Sequence, residues 1–191
     1  MIQPFEEVYE DIWRSLKESV KKKSHPFRYP TVATRHKEVV LQRMVVLRNL
    51  FISSRTLLFH TDKRSRKVLD IKEYPWISML FYDPNRRIQL QLEGEATLHE
   101  VGSELHNDEW MDTTMPERLR YSRINSPGTP LDSTEEAQEG NTLDEARAKK
   151  NLVVVSLETE LMDWLNLHPE GERRILFQWR ENEWQKKPVS P

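Results

Sequence analysis

The sequence contains no cysteine among its 191 residues. This absence excludes disulfide bonds, thiolate nucleophiles and metal sites with sulfur ligands, and it fits a reducing compartment. No apolar run approaches the ~20 residues that a membrane-spanning helix needs. The first residues, MIQPFEEVYEDIW, are acidic and interrupted by charge, which is not typical of a secretory signal peptide. We therefore expect a cytoplasmic protein.

The sequence also lacks a strong net charge and the motifs of several common enzyme classes. Its formal net charge is −2 although 31% of its residues are charged, so the chain as a whole has no bias toward nucleic acid. It contains no GxGxxG, GxxxxGK[ST], HExxH or GxSxG motif, which argues against Rossmann folds, P-loop NTPases, zinc peptidases and α/β hydrolases. Its six histidines have no spacing typical of metal ligands, so we predict no metal site.

The hydrophobic pattern predicts one α+β domain over residues 1–191. A chain of this length with 37% hydrophobic residues can form one substantial core. Apolar residues at three- and four-residue spacing predict an N-terminal helix over residues 4–23; they are Phe5, Val8, Ile12, Leu16 and Val20. Strands are then predicted at TVAT, EVVLQRMVVLR, RTLLFHT, WISMLFYD and RRIQLQLEGEATLHE. Because strands and helices do not alternate, we expect an antiparallel sheet or barrel.

The second half of the chain is predicted to add helices, a loop and final strands. Residues 101–124 have a helical pattern that Met115-Pro116 interrupts. Residues 126–149 are rich in Pro, Gly, Ser, Thr and acidic residues, which predicts a flexible acidic loop. LVVVSLETELMDWLNL and RRILFQWRENEWQ predict two strands joined by a turn at HPEGE. In RRIQLQLEGEATLHE, Gly94 predicts a bulge or a bend.

The short segment DKRSRK, residues 62–67, has four cations and one anion. Composition alone fits a nucleic-acid patch, a targeting signal, a solvated turn or a phosphate site. Ser65 can cap a helix, which places Arg66 and Lys67 in its first turn. Free backbone N–H groups and the helix dipole favour an anion at that position, and an anion would offset the two cations. Lys63 and Arg64 are expected to be solvated.

The sequence resembles the pyridoxamine 5'-phosphate oxidase family, the FMN-binding split barrels, in several motifs that occur in the same order. The family's R-x-V-L-L-K strand matches Arg43-Met-Val-Val-Leu-Arg48, and its aromatic-T-N strand end matches His60-Thr61-Asp62. Its S-R-K turn matches Ser65-Arg66-Lys67, and its Q-V-x-V-x-G strand matches Gln89-Leu-Gln-Leu-Glu-Gly94. Its C-terminal motif matches Trp164, Arg174-Ile-Leu-Phe, Trp184 and Pro191. The resemblance spans roughly residues 31–191 and implies an antiparallel FMN-binding split β-barrel with flanking helices.

The resemblance implies FMN as the cofactor. The phosphate would contact Arg43, Thr61, Ser65, Arg66 and Lys67, which supply charge-assisted hydrogen bonds. Gln89 would hydrogen-bond the isoalloxazine ring, main-chain groups of residues 44–47 would edge the flavin, and Arg48 is a catalytic candidate near its active face. The implied cofactor-binding residues are Arg43, Met44, Val45, Val46, Leu47, Arg48, His60, Thr61, Ser65, Arg66, Lys67, Gln89, Trp164 and Arg174.

The resemblance also implies a homodimer, because the flavin of this family lies between two subunits. Trp164 and Arg174 would then reach the flavin that the other chain mainly binds. Two simpler interpretations stay open: Trp164 is a core residue, and Gln89 is an ordinary residue on a sheet face.

The sequence departs from the family at the substrate-binding positions. Glu170 and Glu172 occupy the positions of the family's R-x-H triplet, and two carboxylates would repel a phosphorylated substrate. The family's Y-x-x-x-R-P segment is absent, and Trp110-Met-Asp-Thr-Thr114 is the nearest counterpart. Arg48 replaces a lysine and so keeps the cation without the small ammonium group.

We therefore interpret the chain as an FMN-dependent oxidoreductase with an unidentified small-molecule substrate. One alternative is a true pyridoxamine or pyridoxine 5'-phosphate oxidase of vitamin B6 metabolism. Another is a non-catalytic flavin-binding or interaction protein. A nucleic-acid binder that uses DKRSRK is a further alternative, but it would need a basic stripe with stacking aromatic residues, whereas this cluster is short and the chain is acidic overall.

Overall fold

The structure, a computed structural model, describes residues 4–132, 142–169 and 171–191. Within these residues the chain forms five α-helices, a short 3-10 helix at Pro26–Arg28 and nine β-strands. The helices are α1 (Phe5–Lys21), α2 (Arg66–Glu73), α3 (Glu104–Met111), α4 (Met115–Ser122) and α5 (Glu145–Asn151). The strands are β1 (Thr31–His36), β2 (Val39–Met44), β3 (Leu47–Phe51), β4 (Thr56–Asp62), β5 (Trp76–Asp83), β6 (Ile88–His99), β7 (Leu152–Asn166), β8 (Arg173–Arg180) and β9 (Glu183–Val189).

The nine strands form one antiparallel sheet in the order β2-β1-β5-β6-β7-β4-β3, and the β8–β9 hairpin pairs with β7. The first half of β7 pairs with β4 and its second half with β8, so the sheet divides along this strand. The fold is therefore the predicted α+β class with an antiparallel sheet. No helix within the described residues is long and apolar enough to cross a membrane.

Helix α1 covers one end of the core, as its apolar stripe predicts. Val8, Ile12 and Leu16 are buried in the main hydrophobic cluster, and Phe5 and Val20 pack against its edge. The predicted helix over residues 4–23 is confirmed to within two residues at each end. The alternation in β6 is also confirmed, because Leu90 and Leu92 are buried in the core.

Gly94 lies at a shift in the register between β6 and β7, where the sequence predicts a bulge. A Cβ atom at this position would lie only 1.9 Å from the backbone oxygen of Glu158. The two central strands therefore approach closely because residue 94 has no side chain.

Two predicted strands are each divided in the structure. EVVLQRMVVLR forms β2 and β3, because β2 pairs with β1 only as far as Met44 opposite Thr31. The N–H of Val45 then donates to the carbonyl of Pro30, 3.0 Å away, and from Leu47 the chain pairs with β4 instead. RRILFQWRENEWQ forms the β8–β9 hairpin, whose turn residues Glu181 and Asn182 both have positive φ, +53° and +63°.

The helical boundaries in the second half also differ from the prediction. The break in the helical pattern falls at residues 112–114, and Pro116 lies in the first turn of α4, where its missing N–H costs nothing. Residues 145–149 are helical rather than part of a loop, because the Asp144 carboxylate accepts a hydrogen bond from the N–H of Arg147 at the start of α5. The rest of the predicted acidic loop lies partly outside the described residues.

Candidate functional site

The end of β4 and the start of α2 bring two hydroxyl groups around one lysine. The Lys67 ammonium donates hydrogen bonds to Thr61 Oγ1 at 2.9 Å and to Ser65 Oγ at 2.7 Å. Ser65 occupies the predicted N-cap position, but its side chain makes no capping bond to a backbone N–H and bonds Lys67 instead. Thr61 and Ser65 are both buried. A cation and two hydroxyls therefore lie together at a helix N-terminus, which is a favourable environment for an anion.

Two arginines extend this group of residues. Arg43, on β2, donates to Thr34 Oγ1 at 2.6 Å and lies 3.6 Å from the Asp70 carboxylate of α2. Arg66, in the first turn of α2, contacts the Nε2 atom of His36. We call the set of Arg43, Thr61, Ser65, Arg66 and Lys67 the α2 cradle.

The charge balance of the α2 cradle is positive. Burial, and secondly the charge of Arg43, lower the pKa of Lys67 from 10.5 to about 8, although Asp62 and Asp70 act in the opposite direction. Among the described residues, no carboxylate oxygen lies within 4.0 Å of the Lys67 ammonium nitrogen, the limit for a salt bridge. The positive charge on this partly buried ammonium is therefore only partly compensated by the protein itself, and a dianion such as a phosphate group would compensate it.

The prediction that Lys63 and Arg64 are solvated is half right. Lys63 is exposed and pairs with Glu100. Arg64 instead makes three hydrogen bonds to the buried Asp62 carboxylate and two more to the backbone carbonyls of residues 123 and 124. One of the three bonds to Asp62 uses the backbone N–H of Arg64 and closes the turn between the two residues. The two bonds to carbonyls 123 and 124 connect this turn to the segment that follows α4.

A cleft of about 450 Å³ lies at Asp62, the last residue of β4. It lies between the end of α4 and the loop that follows, with Arg120, Tyr121 and Arg123 among its lining residues. Its volume is in the range of small-molecule sites. Asp62 lies on the same side of β4 as His60, because side chains alternate along the strand, and none of the five cradle residues lines the cleft.

Arg48 and His60 form a separate group under α3 and α4. Arg48 is paired with Glu117 of α4, and both side chains are mostly buried. His60 Nε2 lies 2.9 Å from Glu109 Oε2 of α3, and Asn49 donates to the other oxygen of this carboxylate at 3.0 Å. Burial would raise the pKa of Glu109, but the hydrogen bonds from His60 and Asn49 lower it below its usual value.

The structure therefore separates His60 from Thr61, which the prediction assigned to the same site. Successive side chains of a strand point to opposite faces, so His60 faces α3 while Thr61 faces the cradle. The sequence did not indicate Glu109 and Glu117, because their partners lie 49 and 69 residues away in the chain. No short-range pattern reports such contacts.

Gln89 and Arg174 lie on the face of the sheet that is opposite the core. Gln89 pairs with Tyr82 of β5 and Leu165 of β7, and Leu165 pairs with Arg174 of β8, so the four residues form one row across the strands. Arg174 binds the Asp163 carboxylate through two nitrogen atoms, at 2.9 and 2.6 Å. We call this surface the outer face.

The remaining predicted residues are placed in three different environments. Trp164 is 3% exposed and belongs to the core, so the structure favours the core interpretation over a contact with a cofactor. Met44 is 68% exposed on the outer face, whereas Val45 and Leu47 are buried and Val46 is partly buried between β2 and β3. Glu172 is exposed, and Glu170 lies outside the described residues.

Comparison with known proteins identifies the relatives of this chain. Residues 10–100 match the family model described as pyridoxamine 5'-phosphate oxidase, FMN-binding domain. A curated relative, pyridoxine/pyridoxamine 5'-phosphate oxidase 2 of Arabidopsis thaliana, is 25% identical over 141 residues, which cover 71% of this chain and 70% of the relative. The chain is thus similar to the pyridoxamine 5'-phosphate oxidase family, and the resemblance predicted from the sequence is confirmed.

Solved structures show the same fold. A pyridoxamine 5'-phosphate oxidase-related, FMN-binding protein of Nostoc punctiforme is 24% identical, with a TM-score of 0.79 and complete coverage of both chains. PhzG of Burkholderia lata, in complex with tetrahydrophenazine-1-carboxylic acid, is 19% identical with a TM-score of 0.76, covering 96% of this chain and 92% of that one. The predicted split-barrel fold is therefore confirmed.

Proposed function

We propose that the chain binds FMN through the α2 cradle and acts as an oxidoreductase on a small molecule. The observation that carries the proposal is the partly buried Lys67 ammonium, which has two hydroxyl partners and no carboxylate within 4.0 Å among the described residues. The match of residues 10–100 to an FMN-binding domain supports the same ligand. Bound FMN supplies hydride or electron transfer, while the protein supplies orientation and electrostatics.

In this proposal the phosphate dianion is bound by groups of three elements. Lys67 and the first-turn N–H groups of α2 provide positive charge at the helix N-terminus. Arg43 approaches from β2. The Arg66 guanidinium either moves from His36 to the phosphate or contacts both at once. Thr61 and Ser65 can turn their hydroxyl hydrogens toward the anion, since each now accepts from Lys67.

The position of Gln89 and Arg174 supports a homodimer in this proposal. Arg43 pairs with the buried Val32 and so lies on the core side of the sheet, whereas Gln89 lies on the outer face. Because the sheet lies between them, one chain does not offer the cradle and Gln89 to the same flavin. A second copy that packs on the outer face would bring its own Gln89 and Arg174 to the flavin of the first.

The composition of the outer face favours such packing. Met44 and Leu80 are both paired with Thr31, and Tyr82 lies two residues further along β5 on the same face. Their exposed fractions are 68%, 38% and 48%, which is high for large apolar side chains that lie side by side. We therefore infer that this surface is the dimer interface.

Substituting Leu80 by arginine tests the interface. We expect wild-type protein to elute at twice the 22.8 kDa chain mass in size-exclusion chromatography with light scattering, and Leu80→Arg to shift it toward the monomer because an unpaired charge would be buried. Val101→Arg is the control, because Val101 is a similarly exposed apolar residue in the turn after β6. A wild-type monomer, or an unchanged dimer in Leu80→Arg, would contradict the inferred interface.

Vitamin B6 oxidation is the second candidate, because the curated Arabidopsis relative is a pyridoxine/pyridoxamine 5'-phosphate oxidase. Two residues of this chain disfavour it. Glu172 presents a carboxylate where that family has a histidine, and Glu117 neutralises Arg48, the cation expected at the active face. Pyridoxal phosphate formation above the background of free FMN would establish this candidate. Bleaching of the bound flavin by NADH or NADPH would instead support another oxidoreductase activity. If no donor reduces the flavin, the result would support a non-catalytic flavin-binding protein.

Arg66→Ala tests the cradle, with Lys63→Ala as its matched control. Lys63 is a cation of the same segment that pairs with Glu100 and does not contact the cradle. Loss of one charge-assisted hydrogen bond costs about 1.5–3 kcal/mol, so we expect Arg66→Ala to weaken FMN binding by roughly 10- to 100-fold. Titration of FMN fluorescence measures both dissociation constants. Equal affinity of the two variants would show that the phosphate lies elsewhere.

A further inference from the structure

A fully buried carboxylate lies behind the cations of the α2 cradle. The Asp70 side chain of α2 is 0% exposed. Its Oδ2 atom accepts a hydrogen bond from Thr34 at 2.8 Å and lies 3.6 Å from an Arg43 nitrogen, and its Oδ1 atom lies 3.0 Å from His36 Nδ1. A buried carboxylate without partners would be costly, so these three contacts stabilise Asp70 in its buried position.

The contacts of His36 define which of its nitrogen atoms carries the proton. The Arg66 guanidinium can only donate, so the His36 Nε2 atom that it contacts must accept. The proton of a neutral His36 is therefore on Nδ1, and Nδ1–H donates to Asp70. The chain of contacts runs from Asp70 through His36 to Arg66, while a second branch runs from Asp70 to Arg43.

Both arginines of the cradle are thus connected to the Asp70 carboxylate, Arg43 directly and Arg66 through His36. Arg43 is held additionally by its hydrogen bond to Thr34, whose hydroxyl donates to Asp70. A long arginine side chain that is already ordered loses less conformational entropy when it binds an anion. Neither Asp70 nor His36 is among the residues that the family resemblance assigned to the cofactor.

We propose that Asp70 and His36 are positioning residues of the phosphate site. Asp70 orients Arg43 directly and Arg66 through His36, so that two guanidinium groups are in place before the anion arrives. The proposal rests on the proposed function, since it takes the phosphate of FMN as the anion. It predicts that the two residues affect the recognition of phosphate and leave the recognition of the flavin ring unchanged.

The test compares FMN with riboflavin, which has the same ring and no phosphate. For His36→Ala and Asp70→Asn we expect FMN to bind about tenfold or more weakly, because at least one charge-assisted hydrogen bond is no longer oriented. The dissociation constant of riboflavin should stay within about twofold of the wild-type value, as it loses no contact. His36→Gln should recover part of the FMN affinity, because its side-chain oxygen can accept from Arg66 near the place of Nε2.

One control variant makes the outcome decisive. Arg35→Ala is the control, since Arg35 is the exposed neighbour of His36 on β1 and packs over Tyr74 instead. It should change neither constant. Asp70→Asn removes a buried charge and can lower stability, so the His36 variants carry the test if Asp70→Asn does not fold. The positioning role would be overturned if the His36 variants bound FMN and riboflavin more weakly by the same factor, or if they bound FMN as tightly as the wild type. Either result would leave the cradle itself unaffected. A wild-type protein that binds FMN and riboflavin equally well would overturn both.

Discussion

Lys67→Met is expected to have opposite effects on cofactor binding and on the stability of the cofactor-free protein. The variant should bind FMN roughly 100-fold more weakly, because it loses an ammonium group that would contact the phosphate directly. The same variant should unfold at a higher temperature without FMN, because methionine fills a similar volume and removes a partly buried charge whose compensation is incomplete. An ordinary structural residue would not produce this combination of gain and loss.

The pH dependence of both effects follows from the pKa of Lys67, which burial and Arg43 lower to about 8 from 10.5. Between these values the unfolded chain binds more protons than the folded one, so the stability of the cofactor-free wild type should rise with pH in this window. FMN affinity should fall above about pH 8, where the ammonium loses its proton before binding. Lys67→Arg keeps its charge and should show neither trend.

Thermal unfolding and FMN titration from pH 7 to pH 10 provide the measurement. Lys72→Met serves as the control, since Lys72 lies on the same helix, is exposed and pairs with Glu100. If the wild type and Lys67→Met show the same pH dependence of FMN binding, Lys67 is not the group that pairs with the phosphate.

Gly94→Ala is expected to be the most destabilising single-methyl substitution in the sheet. The new Cβ would lie 1.9 Å from the carbonyl oxygen of Glu158 and 2.9 Å from its carbon, and both are backbone atoms of the adjacent strand. Neither can move away without opening the β6–β7 pairing that joins the two halves of the sheet. Overpacking of a core costs about 1–3 kcal/mol, and a backbone clash should exceed that range.

Gly102→Ala is the matched control for this prediction. A Cβ at Gly102 would meet nothing within 4 Å, but its φ of +104° is a conformation that alanine rarely adopts. We expect a loss of about 1 kcal/mol there from backbone strain alone. Urea denaturation followed by circular dichroism gives both free energies of unfolding. If Gly94→Ala is no worse than Gly102→Ala, the close approach of β6 and β7 does not require glycine.

Local patterns predicted most of the fold. The three- and four-residue spacing of Val8, Ile12 and Leu16 identified α1, and the alternation around Leu90 identified β6, because each pattern records which side faces the core. The division of EVVLQRMVVLR at Val45 could not be predicted in the same way. It occurs because β1 begins at Thr31 and offers no further partner, which is a property of the sheet.

The candidate site was predictable to a similar degree. Ser65, Arg66 and Lys67 are adjacent in the sequence, so their grouping at a helix start needs only local information. The spacing of Arg66 and Asp70, four residues apart on one helix, also indicates that they share a face. The contact of Asp70 with His36 spans 34 residues and depends on how α2 packs on β1. Likewise, Trp164 carries a family motif, but the side of the strand that it faces is decided by pairing.

The flavin content of the purified protein tests the central claim most directly. The protein is mixed with FMN and separated from free ligand, and its visible spectrum is recorded. The flavin released on denaturation is then identified and quantified. We predict a yellow protein that retains one FMN per chain and retains riboflavin far less well, since the α2 cradle recognises the phosphate. A colourless protein, or one that retains riboflavin as well as FMN, would contradict this account of the site.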